Sequence, residues 1–410
     1  MCAGVVVASP QGTEWPQILG PKRDGVYRGG DVAMAWPSSG PTILWEKHVG
    51  EGFSAPVKSG GSVIVFYRSP TRAIVLAVQA DTGDEIWKFD YETTYRDNYG
   101  RGDGPRATPT IADGRVFTFG PTGVLHALNL KTGKRLWRVD TQERFEIGRS
   151  FFGVSSSPLV EGELLLLNLG GQPKAGIVAL DTKTGKTVWA GTDHDASYSS
   201  PTAVTIGGER HALFLTRRGF VDIDPLSGRV RNELRWRAGR GKNHPSVNAA
   251  IPLVRDNLVF LSECYGPGAV LLRVGPQSVD QIWTKDRTLS NHYVTSVLHG
   301  DHLYGLDGRQ EATPDLVCVE FTTGNELWRQ RRFGTGSILL AGNDLLVTME
   351  SGELRRVAAN SKSYKLLQTA KLLEPTVRAL PALAGGKLYA RDGNRLVCVD
   401  LRQQGKSSQQ

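Results

Sequence analysis

The 410-residue sequence lacks several common enzyme motifs and any long apolar run. No apolar stretch approaches the roughly 20 residues that a helix needs to cross a bilayer, so we predict no integral membrane span. Nucleophile-elbow, zinc-protease, P-loop and EF-hand motifs are absent, which argues against hydrolase, metalloprotease and nucleotide-binding roles. No metal ligands and no catalytic residues can be assigned by motif.

Cysteine is scarce, with Cys2, Cys264, Cys318 and Cys398 in the whole chain. They form no C-x-x-C pair, which excludes the usual zinc spacings and the C-x-x-C-H haem attachment. Cys318 and Cys398 stand at matching positions of two Leu-Val-Cys-Val segments. We therefore expect them in different repeats, too far apart for a disulfide, as buried thiols.

Basic residues outnumber acidic ones, giving a formal net charge of +8, but they are not concentrated. They occur in short clusters such as Arg217-Arg218 and Arg355-Arg356. Without a long basic tract or a nucleic-acid motif, these clusters indicate solvated loop charge, and we predict no nucleic-acid partner.

What the sequence does contain is glycine, 48 residues of it, and an internal repeat. The segment Thr-Gly-x-x-x-Trp occurs at residues 82–87, 132–137, 184–189 and 323–328. Trp45 and Trp283 end degenerate copies, and a decayed copy at Ser227-Gly228 has Asn232 in place of the tryptophan. The early anchors lie about 40–50 residues apart, a spacing typical of propeller blades.

Each repeat reads as two β-hairpins. An apolar run such as residues 74–78 precedes Thr-Gly, and the glycine supplies a tight turn before the strand that carries the tryptophan. A second hairpin lies upstream, for example over residues 109–119, with Asp113-Gly114 at its turn. The sequence thus predicts an all-β fold, a single eight-bladed β-propeller of four-stranded blades over residues 41–401, with seven blades as the alternative.

The last predicted blade, from about residue 378 to 401, has no outer strand of its own. The N-terminal run at residues 42–48 can supply it, closing the ring by pairing N- and C-terminal strands and hiding two sheet edges. Residues 1–40 are then an N-terminal leader that packs on the surface, and residues 402–410 a disordered polar tail. The apolar residues 1–9 fit the end of a truncated signal peptide, which predicts a periplasmic or otherwise exported protein; a meaningless terminus is the alternative.

The tryptophans first require a structural explanation. Six of nine fall at repeat positions, and a buried tryptophan hides about 150–250 Å² of surface. We predict that they pack between neighbouring blades rather than forming platforms for a substrate.

The repeat resembles that of pyrroloquinoline-quinone-like (PQQ-like) propellers, best seen in Ala179-Leu-Asp-Thr-Lys-Thr-Gly-Lys-Thr-Val-Trp189. The opening Trp15 to Gly25 and the segments Gly104 to Pro109 and Leu289 to Tyr293 are similar to those of exported bacterial members. This resemblance covers about residues 15–401. It implies one of two roles: quinoprotein alcohol dehydrogenases that hold the quinone with Ca²⁺, or non-catalytic propellers such as the lipoprotein of the outer-membrane β-barrel assembly machinery.

The chain departs from the dehydrogenase pattern. It has no pair of adjacent cysteines, no haem-attachment motif and no recognisable set of calcium ligands, and it is shorter than those enzymes usually are. The resemblance therefore favours a monomeric, non-catalytic platform in the cell envelope that needs no cofactor and binds an envelope protein or a small polar ligand. The alternative is a PQQ- and Ca²⁺-dependent dehydrogenase of alcohols or sugars.

Propeller ligands sit above the ring, where the loops between blades converge, and these loops are long and polar here. They predict a pocket for an anionic or polyhydroxylated ligand, with His194 and His244 as possible proton carriers. The alternative is that each side chain only bonds its own loop. The candidate ligand-binding residues are Arg106, Arg149, His194, Asp195, Lys242, Asn243, His244, Asn291 and His292.

Overall fold

Eight antiparallel sheets form a closed ring in the structure, a computed structural model that describes residues 12–30, 32, 35–147, 152–236 and 248–402. The prediction of an eight-bladed propeller is confirmed, and the seven-bladed alternative is wrong. Helix is confined, within those residues, to one turn at Thr141–Phe145 and a 3₁₀ turn at Gln310–Ala312. None of the helices described there is long and apolar enough to span a membrane.

The strands of each blade are given from the inner strand, which lines the axis, to the outer strand. Blade 1 contains Val57–Ser59, Ser62–Ser69, Arg72–Gln79 and Glu85–Glu92; blade 2 contains Thr110–Ala112, Arg115–Phe119, Val124–Asn129 and Arg135–Asp140. Blade 3 contains Leu159–Glu161, Leu164–Gly171, Ala175–Asp181 and Thr187–Gly191; blade 4 contains Thr202–Ile206, Glu209–Leu215, Gly219–Ile223 and Val230–Arg235.

The second half of the ring repeats this plan. Blade 5 contains Leu253–Arg255, Leu258–Glu263, Gly268–Val274 and Val279–Lys285; blade 6 contains Val297–His299, His302–Asp307, Asp315–Glu320 and Glu326–Gln330. Blade 7 contains Gly336–Ala341, Asp344–Met349, Glu353–Ala358 and Leu366–Lys371; blade 8 contains Ala382–Ala384, Lys387–Arg391, Arg395–Asp400 and Thr42–His48.

The two ends of the chain meet in blade 8, as predicted. Strand Thr42–His48 runs antiparallel to Arg395–Asp400, with Trp45 opposite Cys398. This pairing covers the edge that strand Arg395–Asp400 would otherwise expose, and it ties residues that are more than 340 positions apart. Cys318 and Cys398 are buried free thiols in blades 6 and 8, and burial raises the pKa of Cys318 to about 11.

In blades 2 and 3 one side chain holds the turn of the repeat. In blade 3 the Asp181 carboxylate accepts hydrogen bonds from the backbone N–H groups of Lys183 and Thr184 and from the Thr184 hydroxyl, at 2.7–3.1 Å. Asn129 does the same in blade 2. Because this cap satisfies donors that the tight turn exposes, it explains the Asn and Asp that blades 2 and 3 carry three residues before Thr.

The repeat tryptophans pack between blades, which confirms the structural interpretation. The Trp137 indole N–H donates to the carbonyl of Thr182 in the next blade at 3.0 Å, and Trp87 donates to Leu130 at 2.8 Å. The turn glycine of the next blade lies beneath the ring: at Gly133, with φ +68°, a Cβ atom would stand 2.5 Å from Trp87. Trp45, Trp189, Trp283 and Trp328 make the equivalent hydrogen bond.

Blade 4 departs from this pattern at Asn232. Its amide donates to the carbonyl of Gly275 in blade 5 at 2.9 Å, which keeps the inter-blade hydrogen bond of the missing tryptophan. The same amide donates to the buried Asp222 carboxylate at 2.7 Å, and His211 Nδ1 lies 2.9 Å from that carboxylate. A polar network thus replaces an aromatic ring at this interface.

The N-terminal segment, residues 12–27, runs across the inner strands. Trp15 forms an isolated bridge with Lys58 of blade 1, and strand Val26–Tyr27 pairs in parallel with Gly336–Ala341 of blade 7. Between them Arg23 is buried in the axis, where it donates to the carbonyl of Pro201 at 2.8 Å and to that of Pro158. This part of the predicted leader therefore packs against the inner strands and buries one charged side chain among them; the boundary at residue 40 stays a prediction.

Candidate functional site

A cavity of about 450 Å³ lies on the propeller axis, among the loops that join the blades. Thr108, Ser155 and Ser200, which precede the inner strands of blades 2, 3 and 4, line it. Ile18 of the N-terminal segment and Leu380 of the loop before blade 8 add apolar surface. The volume lies within the range of small-molecule sites, and rigid strands position every loop that contributes to the wall.

Aromatic side chains form much of the wall in two clusters. Phe152 lies between Tyr99 and Tyr198, with ring centroids 5.3 and 5.6 Å away, and these residues belong to the loops after blades 1, 2 and 3. On the side of blades 5 and 6, the His292 ring lies 5.5 Å from that of Tyr265 and 5.6 Å from that of Tyr293. Among the described residues, six phenylalanine and tyrosine side chains line the cavity: Phe53, Tyr99, Phe152, Tyr198, Tyr265 and Tyr293.

Arg106 is held in the wall by charge and by ring contacts. Its guanidinium bonds the buried carboxylate of Asp97 at 3.1 Å and the carbonyl of Gly102 at 3.1 Å. It also lies over the rings of Phe53 and Phe152, 5.5 and 5.6 Å from their centroids. Because its charge is already paired, Arg106 supports the wall and adds little free positive charge to the cavity.

The mouth of the cavity carries two arginines around one carboxylate. Arg101, from the loop after blade 1, and Arg309, from blade 6, each approach a different oxygen of Glu311 at 3.6 Å. Burial acts to raise the pKa of Glu311, but a backbone hydrogen bond and the nearby positive charges, among them Arg309 and Arg101, outweigh it, so the net shift is downward. Glu311 is therefore ionised at neutral pH, and the three side chains carry one surplus positive charge.

His292 is a neutral hydrogen-bonding group in this wall. Burial lowers its pKa to about 4. The backbone N–H of Gln310 makes a long hydrogen bond of 3.5 Å to Nδ1, so we assign the ring proton to Nε2, which lies 2.9 Å from the Tyr265 hydroxyl oxygen. In this arrangement His292 donates to Tyr265, and the hydroxyl proton of Tyr265 remains available to another acceptor.

The structure brings two of the nine candidate residues to the cavity, Arg106 and His292. Asn291 is buried below the loop, where its amide donates to the carbonyl of Leu306 at 2.9 Å and its oxygen accepts from Ser296. Asp195 is exposed and does not line the cavity. Arg149, Lys242, Asn243 and His244 lie outside the described residues.

His194 is also away from the cavity and holds its own loop. Its Nδ1 is 2.8 Å from the hydroxyl of Thr216, and its Nε2 is 3.1 Å from the Glu233 carboxylate. Burial lowers the pKa of His194 although Glu233 opposes the shift. Thr216 is completely buried, so this Glu–His–Thr arrangement presents no accessible hydroxyl and works as a structural network.

Sequence reasoning missed the aromatic wall and the arginines at the mouth. Arg309 and Glu311 lie in the middle hairpin of blade 6, a loop that the candidate set did not include. Tyr265 lies in the corresponding loop of blade 5. A search for aromatic and arginine residues in the middle hairpins, as well as between blades, would have found them.

The comparison with protein families covers most of the ring. A family model described as "Outer membrane protein assembly factor BamB" matches residues 71–314, which is more than half of the chain. The chain belongs to this PQQ-like propeller family. The resemblance deduced from the Trp repeat is thereby confirmed.

Relatives within and around the family include both enzymes and assembly factors. A 110-residue stretch is 33% identical to 1-butanol dehydrogenase (cytochrome c) of Thauera butanivorans, over 25% of this chain and 14% of that protein. The solved structure of BamB from Moraxella catarrhalis matches with a TM-score of 0.64 at 15% identity, covering 88% of this chain and 98% of that one. The solved structure of quinohemoprotein alcohol dehydrogenase from Comamonas testosteroni matches with a TM-score of 0.67 at 14% identity, covering 95% of this chain and 80% of that one. These structural likenesses show the shared fold.

The dehydrogenase branch of the family implies a quinone held with Ca²⁺, so we asked whether the residues of the cavity wall could bind that ion. Calcium takes six to eight oxygen ligands, several of them carboxylates. Within the described residues, no group of three or more His, Cys, Asp or Glu side chains could hold a metal ion. Glu311 is the one carboxylate that the described wall contributes, and two arginines face it. The described residues therefore do not fit a calcium-dependent quinone site.

Proposed function

We propose that this propeller is a non-catalytic ligand-binding protein of the cell envelope. The observation that carries the proposal is the axial cavity of about 450 Å³, whose wall contains aromatic rings and arginines. Hydrogen bonds from Arg106 to Asp97 and from the backbone of Phe152 to Tyr198 already hold this wall in place. Preformed, mostly apolar pockets with a few convergent polar groups are the usual form of small-molecule sites. The absence of a fitting calcium-ligand set among the described residues favours binding over quinone-dependent oxidation.

Saturable binding of a neutral aromatic probe tests the proposal. We expect N-phenyl-1-naphthylamine to bind one site per chain with enhanced fluorescence. Ser155→Phe should abolish this binding, since it fills the cavity at a hydroxyl that has no hydrogen-bond partner among the described residues. Gln79→Phe, at an exposed position of blade 1, is the matched control and should bind normally. Equal binding by both variants, or none by the unaltered protein, would overturn the proposal.

A quinone-dependent dehydrogenase of alcohols or sugars is the second candidate, favoured by the 33% identity to 1-butanol dehydrogenase over 110 residues. Incubation with PQQ and Ca²⁺, followed by dye reduction with an alcohol and sugar panel, separates the two. We expect no turnover. Saturable activity that a chelator abolishes would establish the enzyme and refute the non-catalytic role.

The proposed location in the cell envelope is supported by the family model, whose description names an outer membrane protein assembly factor. We infer export to the periplasm and an envelope protein as a further partner. Cell fractionation of the natural host, followed by affinity isolation from the envelope fraction, should recover the chain with a stoichiometric partner. Recovery in the cytoplasmic fraction alone would contradict the placement.

A further inference from the structure

Two histidines face each other across the hairpin that joins the first two strands of blade 6. The register of this antiparallel pair places His299 directly opposite His302, with only Gly300 and Asp301 between them in the chain. Gly300 has φ +56°, which suits the first central position of a type II′ turn. The turn follows the inner strand, whereas the cavity lies among loops that precede the inner strands, so the two histidines are at the other end of the axis.

Both imidazoles lie on one face of the blade. Val297 and Tyr304, each two residues from one of the histidines, pack in the core between blades 6 and 7. Because side chains alternate along a strand, His299 and His302 share that face, at its margin, where both are half-buried. Directly opposite residues have Cβ atoms about 4.5–5.5 Å apart, from which two imidazole rings can reach one ion at metal–nitrogen distances of about 2.0–2.1 Å.

The ring nitrogens of this pair are not engaged by the rest of the described chain. The rings of His194, His211 and His292 each have a hydrogen-bonding neighbour, namely Thr216, Asp222 and Tyr265. By contrast, His299 and His302 make no hydrogen bond or ion pair with any described residue. Neutral imidazole nitrogens with a free lone pair are the commonest metal ligands in proteins.

The turn between the histidines is fixed from the neighbouring blade. Arg255 of blade 5 donates to the Gly300 carbonyl at 3.0 Å and to the Asp301 carboxylate at 2.7 Å. The Arg255 guanidinium also lies over the Phe321 ring, 4.3 Å from its centroid, and the backbone N–H of Phe321 donates to the Asp301 carbonyl at 2.8 Å. These contacts set the spacing of the two strands in advance, so little ordering entropy opposes chelation. Asp301 also offsets the charge of Arg255, which would otherwise repel a cation.

A carboxylate stands on the other side of His302. The register places Glu320 of the third strand directly opposite His302, so the two side chains share a face. Its carboxylate accepts a hydrogen bond from the Thr323 hydroxyl. A negative charge here favours a bound cation, and the second ring nitrogen of a metal-ligating histidine commonly donates to a carboxylate. Glu320 therefore supports the histidine pair without being needed as a ligand.

We propose that His299 and His302 chelate one divalent transition-metal ion, with water in its remaining positions. Imidazole nitrogens suit copper, nickel and zinc, whereas calcium takes oxygen ligands, so this ion is of a different class from the one considered for the cavity wall. The usual order of affinities among divalent first-row metals predicts that Cu²⁺ binds most tightly and Zn²⁺ more weakly.

Titration with Cu²⁺ alone tests the proposal, in a Cys2→Ser background so that the thiol near the N-terminus does not compete. We expect one tight site per chain by isothermal titration calorimetry, and an electron paramagnetic resonance spectrum with couplings to two imidazole nitrogens. His299→Gln and His302→Gln should each weaken Cu²⁺ binding by roughly 100-fold or more, because a single ring lacks the effective concentration that the second supplies. Each variant should also lose the two-nitrogen pattern.

His48→Gln is the matched control, since it removes an exposed histidine of blade 8 that has Arg395 rather than a histidine opposite it. It should bind Cu²⁺ like the unaltered protein. Circular dichroism verifies that each variant folds. Cu²⁺ should raise the melting temperature of the unaltered protein and of His48→Gln, and not that of His302→Gln.

If His299→Gln and His302→Gln bind Cu²⁺ as tightly as the control, or if the unaltered protein shows no such site, the proposal is wrong. A spectrum with only one coupled nitrogen would also overturn it. None of these results bears on binding in the cavity, which the naphthylamine probe tests separately.

Discussion

The contact between a tryptophan and the glycine of the next blade predicts that Gly133→Ala destabilises the ring. Gly133 has φ +68°, a conformation that costs an alanine about 1–2 kcal/mol. The new Cβ would stand 2.5 Å from the Trp87 ring, and that ring cannot retreat without stretching its 2.8 Å hydrogen bond to Leu130. Overpacking of this kind costs about 1–3 kcal/mol. We expect a total loss of roughly 2–5 kcal/mol.

Urea unfolding followed by far-UV circular dichroism measures this loss. Gly162→Ala is the matched control, since Gly162 has φ +59° and an added Cβ would meet no atom within 4 Å. Gly162→Ala should therefore cost only the free energy of placing alanine at a positive φ, without the packing cost. In a Trp87→Leu background the clash is relieved, so Gly133→Ala should there cost no more than Gly162→Ala. Equal costs for Gly133→Ala and Gly162→Ala in the unaltered background would refute the packing argument.

Three further predictions concern buried polar groups. Burial, with help from nearby arginines, lowers the pKa of His126 to about 3 in the folded protein. As the pH falls, His126 is therefore protonated in the unfolded chain before it is protonated in the folded one, and this difference reduces stability. Between pH 7 and 4.5 the His126→Phe variant should lose about 2–3 kcal/mol less stability than the unaltered protein, measured as a smaller fall in melting temperature. Asn232→Leu takes a donor from buried Asp222 and should lower the urea midpoint by the equivalent of about 1–3 kcal/mol, whereas an unchanged midpoint would contradict the network. Arg23→Met leaves the carbonyl of Pro201 without its donor and should destabilise by at least about 1–3 kcal/mol; a higher melting temperature would show that the buried charge is a net cost.

Much of the fold could be predicted from the sequence because the residues that define the repeat lie close together in the chain. The cap by Asp181, the turn glycine and the tryptophan all lie within a few residues, and their roles follow from backbone geometry. The closure of blade 8 was also predictable, since strand Arg395–Asp400 needed a partner and the run at residues 42–48 had none. The substitution at Asn232 was visible in the sequence, but its replacement network with Asp222 and His211 was not.

The site was far less predictable. Polar loop residues look alike in a sequence, whether they face the axis, as His292 does, or hold their own loop, as His194 and Asn291 do. What separates them is the direction of each side chain on a loop that has no periodicity. Arg101 and Arg309, two hundred residues apart, share Glu311 only because the ring brings blades 1 and 6 to the same axis.

The amino-acid sequence by itself determined the architecture: turn capping, positive-φ glycines and tryptophan burial act over short distances and recur in several blades. The tertiary structure alone decided the axial features, namely the buried Arg23, the aromatic clusters and the surplus charge at the mouth. These depend on contacts between side chains from different blades. Such contacts form only when the ring closes, because no local rule relates the residues that meet there.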